Sequence, residues 1–269
     1  MALVSADWLY NNLDDPKLIV LDASLANPVA KNIDYTIDVI PNAVFFDLER
    51  RFSDLDSDLP HMMISESKFN REAQLLGIDN DNTVVIYDNK GVYSSARVWW
   101  MFRSMGFDAY VLDGGLVEWK KCGFPTVALH LKAEKAGDFL ATSKSGYFVS
   151  KKEVEHAIAQ KSAQVFDLRH PNRFNALEDE PRKGLLRGNI PTSINMHFAE
   201  FTNGARMKSR EDLTALLADF PKDTNLIFSC GSGVTACIGA LAATVVGYFS
   251  VSVYDGSWSE WGIPKQFES

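Results

Sequence analysis

The chain has 269 residues, of which 46% are hydrophobic, and its formal net charge at pH 7 is −8. That length and apolar content support one large domain, or two of ordinary size, with a substantial core. The negative charge argues against nucleic acid or an anionic membrane as a partner, so an anionic substrate would need locally placed positive charge.

Cysteine usage and hydropathy favour a cytoplasmic protein. The odd number of cysteines, at Cys122, Cys230 and Cys237, suggests reduced thiols and not a disulfide scaffold. No apolar run has membrane-spanning length, and the first residues lack the basic and then apolar pattern of a signal peptide. Cys and His residues show no zinc spacing, so we expect neither a metal nor a cofactor.

An internal repeat predicts the architecture. The apolar run Ile-Val-Leu-Asp ends at Asp22, and the similar run Gln-Val-Phe-Asp ends at Asp167. Further along, the motif Asp-Gly-x-x-x-Glu-Trp begins at Asp113 and again at Asp255, so the two pairs of motifs have nearly the same spacing. The chain is therefore predicted to consist of two similar halves.

Strand-like runs alternate with helical segments in each half. Helices are predicted at about 67–76 and 94–105, and each is followed by a glycine, which suits a helix C-cap. This alternation predicts an α/β fold in which each half is a parallel sheet with helices on both faces. We expect tandem domains at 1–125 and 147–269, and a linker at 126–146, where no clear period is present.

An arginine-containing stretch follows the strand that ends at Asp167. It includes Arg-Phe at Arg173 and Glu-Pro-Arg at Arg182. The stretch lies beyond the carboxyl end of a parallel strand, which is where ligands bind in open α/β sheets. Arginine forks hold carboxylates in bidentate fashion. From the residues alone, these side chains either bind a substrate anion or pair with the acidic residues between them.

The strongest candidate for chemistry is Cys230. It follows the apolar run from Leu226 to Ser229 and precedes a segment of small apolar residues, so it is predicted on a strand-to-helix turn. Glycine-rich backbone N–H groups and the start of a helix favour an anionic sulfur there. The alternative is a small buried cysteine that only packs. The expected cradle for the sulfur consists of Gly231, Ser232, Gly233, Val234 and Thr235.

The first half has no cysteine at the equivalent position. Counting back from Cys230 by the spacing of the two Asp-Gly motifs leads to Asp88, in the run Asp-Asn-Lys-Gly. Because an aspartate does not accept a sulfur atom, we expect the first domain to be chemically silent at this loop and to have a structural role. A catalytic carboxylate at Asp88 is the alternative.

Two α/β halves with a cysteine loop only in the second resemble the tandem rhodanese family of sulfurtransferases, over essentially the whole chain. Cys-Gly-Ser-Gly-Val-Thr is similar to the loop of the mercaptopyruvate branch, whereas the thiosulfate branch typically carries basic side chains directly after the cysteine. Mercaptopyruvate has its carboxylate a few bonds from its sulfur, so its cationic partners should lie outside the loop. The resemblance implies that Arg173 and Arg182 bind the donor.

The resemblance also implies a relay that involves the first half. Phe-Asp-Leu-Glu, ending at Glu49, and Leu-Pro-His-Met, containing His61, resemble motifs whose acidic residue and histidine are proposed to act with the loop serine, here Ser232. The carboxylate would orient the imidazole, and the hydroxyl would polarise the substrate carbonyl or protonate the leaving enolate. A hydrogen-bonded histidine between domains is an equal alternative for His61.

The reaction that the resemblance implies is sulfur transfer from 3-mercaptopyruvate through a persulfide on Cys230, with release of pyruvate. Family acceptors include thiols, thioredoxin and cyanide, and no cofactor is implied. Thiosulfate as donor and a single-loading sulfur carrier remain alternatives. Cys-based phosphatases resemble this fold but need an arginine where the sequence has Ala236, which argues against phosphoryl transfer.

Overall fold

The repeat in the sequence corresponds to two α/β units. The computed structural model describes residues 2–25 and 38–264. The first unit comprises Met1–Ser53, Ile64–Lys144 and Thr202–Met207, and the second comprises Asp54–Met63, Ser145–Phe201 and Lys208–Ser269. A short segment from each half of the sequence therefore belongs to the unit formed mainly by the other half.

The first unit contains a parallel sheet. Its elements in chain order are β1 (Leu3–Val4), α1 (Ala6–Asn12), β2 (Leu18–Asp22), β3 (Ala43–Phe45), α2 (Glu66–Leu75), β4 (Thr83–Tyr87), α3 (Ser94–Ser104), β5 (Ala109–Leu112) and α4 (Gly115–Lys121). The strand order is β1-β5-β4-β2-β3, and every pairing is parallel. The two helices predicted from the sequence are α2 and α3.

The second half of the chain repeats this plan. Its elements are β6 (Phe148–Val149), α5 (Lys151–Gln160), β7 (Gln164–Asp167), α6 (Pro171–Phe174), β8 (Ile194–Asn195), β9 (Thr202–Asn203), β10 (Arg206–Met207), α7 (Arg210–Leu216), β11 (Leu226–Ser229), α8 (Ala236–Val245), β12 (Val251–Tyr254) and α9 (Ser257–Trp261). The second sheet has the order β6-β12-β11-β7-β8, again parallel, while β9 and β10 form a separate antiparallel ribbon. The predicted fold class, tandem parallel α/β sheets, is confirmed.

The central strands are apolar because helices cover both faces of each sheet. All four residues of β11 are buried. A Cβ added to Gly239 of α8 would lie 2.4 Å from a ring atom of Phe228, so this glycine allows the helix to pack closely on the strand. Among the described residues, no helix has the length and hydropathy needed to cross a membrane.

The loop between β4 and α3 in the first unit corresponds to the loop between β11 and α8 in the second unit. Strand β4 ends at Tyr87 and α3 begins at Ser94, whereas β11 ends at Ser229 and α8 begins at Ala236. Tyr87 and Ser229 are as far apart in the sequence as the two Asp-Gly motifs, and so are Ser94 and Ala236. The loop that starts with Asp88 in the first unit is therefore the structural counterpart of the cysteine loop in the second.

Candidate active site

In the first unit, the loop after β4 binds a carboxylate of the chain itself. Asp88 is fully buried, and its carboxylate accepts hydrogen bonds from the backbone N–H groups of Lys90 at 2.8 Å, Tyr93 at 2.8 Å and Ser95 at 2.9 Å. The turn at the start of α3 is thus a backbone nest filled by an anion of the chain itself. The same turn in the second unit has a cysteine in place of this aspartate.

Cys230 occupies that turn between β11 and α8, and it is 2% exposed. Its carbonyl oxygen accepts a hydrogen bond from the Trp258 N–H at 3.0 Å. In the first unit the carbonyl of Asp88 accepts the Leu116 N–H at the same distance, 3.0 Å. The backbone at position 230 is therefore held in the same way as the backbone at Asp88.

Ser257 fixes the cysteine loop through its hydroxyl. Its Oγ accepts hydrogen bonds from the N–H groups of Cys230 and Gly233, both at 3.1 Å, and donates to the Tyr254 carbonyl at 2.8 Å. One of the N–H groups expected to hold the sulfur, that of Gly233, is therefore directed to Ser257. The sequence analysis did not identify this serine. The repeat offered one signal, because the equivalent position in the first half is Gly115 and not a serine.

The backbone of Ser257 has a conformation that favours glycine over serine. Its φ is +49°, in the left-handed region, and Gly115 at the equivalent position has a φ of +52°. This conformation costs a residue with a Cβ roughly 1 kcal/mol or more, whereas it costs glycine little. A serine at this position is consistent with its hydroxyl stabilising the cysteine loop.

Ser257→Ala is expected to lower the free energy of unfolding by about 1–3 kcal/mol, because two buried N–H groups lose their acceptor. Ser257→Gly removes the same hydroxyl but relieves the backbone strain, so it should be less destabilising than the alanine variant. Chemical denaturation of the two variants measures both values. Equal stability of Ser257→Ala and the wild type would contradict the role of this hydroxyl.

The second unit also brings His61 and Ser232 together. His61 Nδ1 lies 3.2 Å from Ser232 Oγ, which is a hydrogen-bond distance. The His61 side chain is half-buried, and Ser232 is buried. The segment that carries the histidine is anchored by the Met63 N–H, which donates to Asp255 Oδ2 at 2.8 Å. Glu49, the third residue of the expected relay, is an exposed turn residue of the first unit.

Arg173 lies beside the cysteine loop. A Cβ built on Gly231 would be 3.2 Å from Arg173 Nη2, so the guanidinium occupies space next to the residue that follows the cysteine. Arg173 reaches this position from α6, and Glu180 accepts hydrogen bonds from its Nε and Nη2. Arg182, the other arginine expected to bind the donor, is exposed and lies two residues beyond Glu180.

Glu180 also accepts a hydrogen bond from a second arginine, Arg169. Arg169 donates from Nε and Nη2 to Asp167, and from Nη1 to Glu180 Oε1 at 2.8 Å. Its guanidinium carbon lies 4.0 Å from the centroid of the Trp258 ring. The bridging role of Glu180 was missed, although the Glu-Pro-Arg motif that contains it was recognised.

Two histidines, His170 and His197, lie beyond the carboxyl ends of strands in the second sheet. The register aligns Ser229, Asp167 and Asn195 at the ends of neighbouring strands. His170 and His197 follow the last two of these strands, and their ring centroids are 5.5 Å apart. Burial, and then the nearby His170, lowers the pKa of His197 from its ordinary value, while Glu200 raises it and Arg173 lowers it further.

The chain is similar to known proteins over most of its length. The sequence matches the family described as Rhodanese-like domain over residues 5–122 and 150–263. The 3-mercaptopyruvate sulfurtransferase of Escherichia coli (strain K12) is 36% identical over 266 residues, which cover 96% of this chain and 94% of that protein. The thiosulfate sulfurtransferase of Mus musculus is 39% identical over 273 residues, which cover 97% of this chain and 91% of that protein.

A solved structure shows the same fold. The crystal structure of SseA from Escherichia coli, which is described as having the "Rhodanese" fold of 3-mercaptopyruvate sulfotransferases, matches with a TM-score of 0.84. The sequence identity is 34%, and the match covers 95% of this chain and 98% of that chain. With two matched domains, two parallel sheets of one topology and a cysteine loop in the second, this chain belongs to the rhodanese family.

Proposed function

We propose that this chain is a sulfurtransferase that moves sulfane sulfur from 3-mercaptopyruvate to a thiol or cyanide acceptor through a persulfide on Cys230. The carrying observation is the position of Arg173, whose Nη2 would lie 3.2 Å from a Cβ on Gly231. The positive charge beside the nucleophile thus comes from α6 and not from the loop. This suits a donor whose carboxylate lies a few bonds from its sulfur, and the names of the relatives support that donor.

In the first half-reaction, the Cys230 thiolate attacks the sulfur of mercaptopyruvate. The new S–S bond forms as the C–S bond breaks, and the electron pair of that bond goes to the enolate of pyruvate. Arg173 and Arg182 bind the carboxylate, and the Ser232 hydroxyl, next to His61, supplies the proton or hydrogen bond that the enolate needs. Glu49 is proposed to orient His61.

In the second half-reaction, an acceptor takes the outer sulfur of the persulfide and returns Cys230 to its thiolate form. Backbone N–H groups of the loop from Gly231 to Thr235 are proposed to hold the anionic persulfide, apart from that of Gly233, which donates to Ser257. The filled nest in the first unit supports this, because three N–H groups there bind the Asp88 carboxylate. Small thiols, cyanide and a thioredoxin are the acceptors we propose, and the reaction needs no cofactor.

The remaining proposals concern domains and location. We propose that 1–125 is a non-catalytic domain, 126–146 a linker and 147–269 the catalytic domain. A reducing, cytoplasmic setting without membrane attachment is proposed as well. The odd number of cysteines supports a reducing setting.

The test is kcat/KM for 3-mercaptopyruvate and for thiosulfate, measured side by side with cyanide as acceptor. We expect a large preference for mercaptopyruvate and many equivalents of pyruvate per chain. A preference for thiosulfate would favour the function named for the mouse relative, and it would remove the donor-binding roles of the arginines. A single equivalent of pyruvate would indicate a sulfur carrier.

Arg182→Ala is expected to raise KM for mercaptopyruvate about tenfold or more, because a hydrogen bond to a charged group is worth roughly 1.5–3 kcal/mol. The substitution should change kcat less, since the lost contact is with the donor carboxylate and not with the breaking bond. Steady-state kinetics with varied donor measures this. An unchanged KM would exclude Arg182 from the donor site.

A further inference from the structure

Four charged side chains form a continuous network next to the cysteine loop. Asp167, Arg169 and Glu180 are 0%, 2% and 9% exposed, respectively. Glu180 Oε1 accepts from Arg169 Nη1 at 2.8 Å, and both carboxylate oxygens accept from Arg173 Nε at 3.2 Å. The network ends at the Arg173 guanidinium, whose Nη2 would lie 3.2 Å from a Cβ on Gly231. Glu180 thus connects a fully buried ion pair to the edge of the reactive loop.

The network has as many negative as positive charges. Asp167 balances Arg169, which leaves the carboxylate of Glu180 to balance Arg173. Buried charges of this kind persist only when they are paired and hydrogen-bonded, because desolvation penalises an isolated one. Arg173 therefore brings hydrogen-bond donors to the loop while much of its charge is cancelled.

We propose that Glu180 is a positioning and specificity-determining residue that holds Arg173 against Gly231 and, by balancing its charge, makes the donor site favour a singly charged over a doubly charged sulfur donor. This inference rests on the proposed function of the same site. A guanidinium has five N–H donors, and Glu180 engages only Nε and Nη2 of Arg173. A monocarboxylate can bind the remaining donors in a fixed geometry.

The charge balance has opposite consequences for two donors. Mercaptopyruvate presents one carboxylate, so it gains most from a guanidinium held at the correct place. Thiosulfate is a compact dianion, so it gains most from uncompensated positive charge. Removing the negative charge of Glu180 should therefore hinder the first donor and favour the second. A lesion that only damages the fold would lower both rates by the same factor.

The decisive variant is Glu180→Gln in the full chain. We expect the ratio of kcat/KM for thiosulfate to kcat/KM for mercaptopyruvate to rise about tenfold or more, the factor given by a charge-assisted hydrogen bond. Asp179→Asn is the matched control, because it removes the same charge from the neighbouring residue. Asp179 is exposed and pairs with Arg187, so this variant should keep the wild-type ratio. An unchanged ratio in Glu180→Gln would overturn the inference.

Glu180→Asp separates position from charge, and it also serves if Glu180→Gln fails to fold. The shorter side chain keeps the negative charge but reaches Arg173 less well. We expect KM for mercaptopyruvate to rise several-fold, with kcat and the donor ratio closer to the wild-type values. Wild-type KM in this variant would overturn the positioning role, and a donor ratio shifted as far as in Glu180→Gln would overturn the role of charge.

Binding without turnover distinguishes this inference from the proposed function. In a Cys230→Ser background, calorimetric titration with pyruvate and with thiosulfate gives their dissociation constants. Glu180→Gln should weaken pyruvate binding and tighten thiosulfate binding. If the wild type fails to turn over mercaptopyruvate, the proposed function fails, yet these two constants still test Glu180. Constants that Glu180→Gln leaves unchanged would overturn the inference.

Discussion

Cys230→Ser is expected to abolish sulfur transfer, with kcat reduced by a factor of about 10⁴ or more, as for the loss of other enzyme nucleophiles. Serine fits the turn between β11 and α8, but its hydroxyl does not form a persulfide. Release of pyruvate from mercaptopyruvate measures the loss. Mass spectrometry of the wild type after donor treatment should show the added sulfur atom on the peptide that contains Cys230.

The matched control for this experiment is Cys122→Ser, which removes an exposed thiol. Slight desolvation by neighbouring residues, and then the carboxylate of Glu118, raises the pKa of Cys122, which makes it a poor nucleophile at neutral pH. We expect wild-type turnover in this variant. Substantial turnover in Cys230→Ser, or loss of turnover in Cys122→Ser, would contradict the proposed persulfide mechanism.

Arg173→Ala is expected to lower kcat/KM for mercaptopyruvate about 10- to 150-fold, which corresponds to roughly 1.5–3 kcal/mol for a hydrogen bond to a charged group. The variant loses the guanidinium beside Gly231 and leaves the buried Glu180 with Arg169 as its remaining partner in the network. Arg173→Lys should recover only part of the activity, because an ammonium group does not reproduce the planar fork.

Arg187→Ala is the matched control for Arg173→Ala. Arg187 is half-exposed, and it pairs with the exposed Asp179 on the same stretch of chain. Exposed ion pairs contribute roughly 0–1 kcal/mol, so this variant should retain both stability and donor affinity. An equal fall of kcat/KM in both variants would show that the stretch responds to any loss of positive charge, which would contradict a specific contact at Arg173.

The fold and the location of the nucleophile follow from local sequence patterns. The alternation of apolar runs and helical segments predicted two parallel α/β sheets, and both are present with the same strand order. The spacing between the Asp-Gly motifs at Asp113 and Asp255 also separates Tyr87 from Ser229 at the ends of β4 and β11. These features could be predicted because hydrophobic periodicity, strand ends and glycine-rich turns each depend on residues that are close together in the sequence.

Other parts of the site depend on contacts between residues far apart in the chain. Ser257 follows Cys230 by many residues, yet its hydroxyl accepts two N–H groups of the cysteine loop. His61 comes from the first half of the sequence but lies beside Ser232 within the second unit. Motif similarity proposed His61 and Ser232 as partners, whereas nothing in the local pattern indicated Ser257.

The sequence by itself determined the tandem α/β architecture, the cysteine turn and the arginine-containing stretch, because each is specified by residues close together in the chain. Only the tertiary structure decided how the charges of that stretch are paired. Glu180 could have bonded to several nearby cations, and in the folded chain it accepts hydrogen bonds from Arg169 and Arg173. That choice depends on side-chain geometry in a buried space, where each charge needs a partner, and sequence spacing does not encode it.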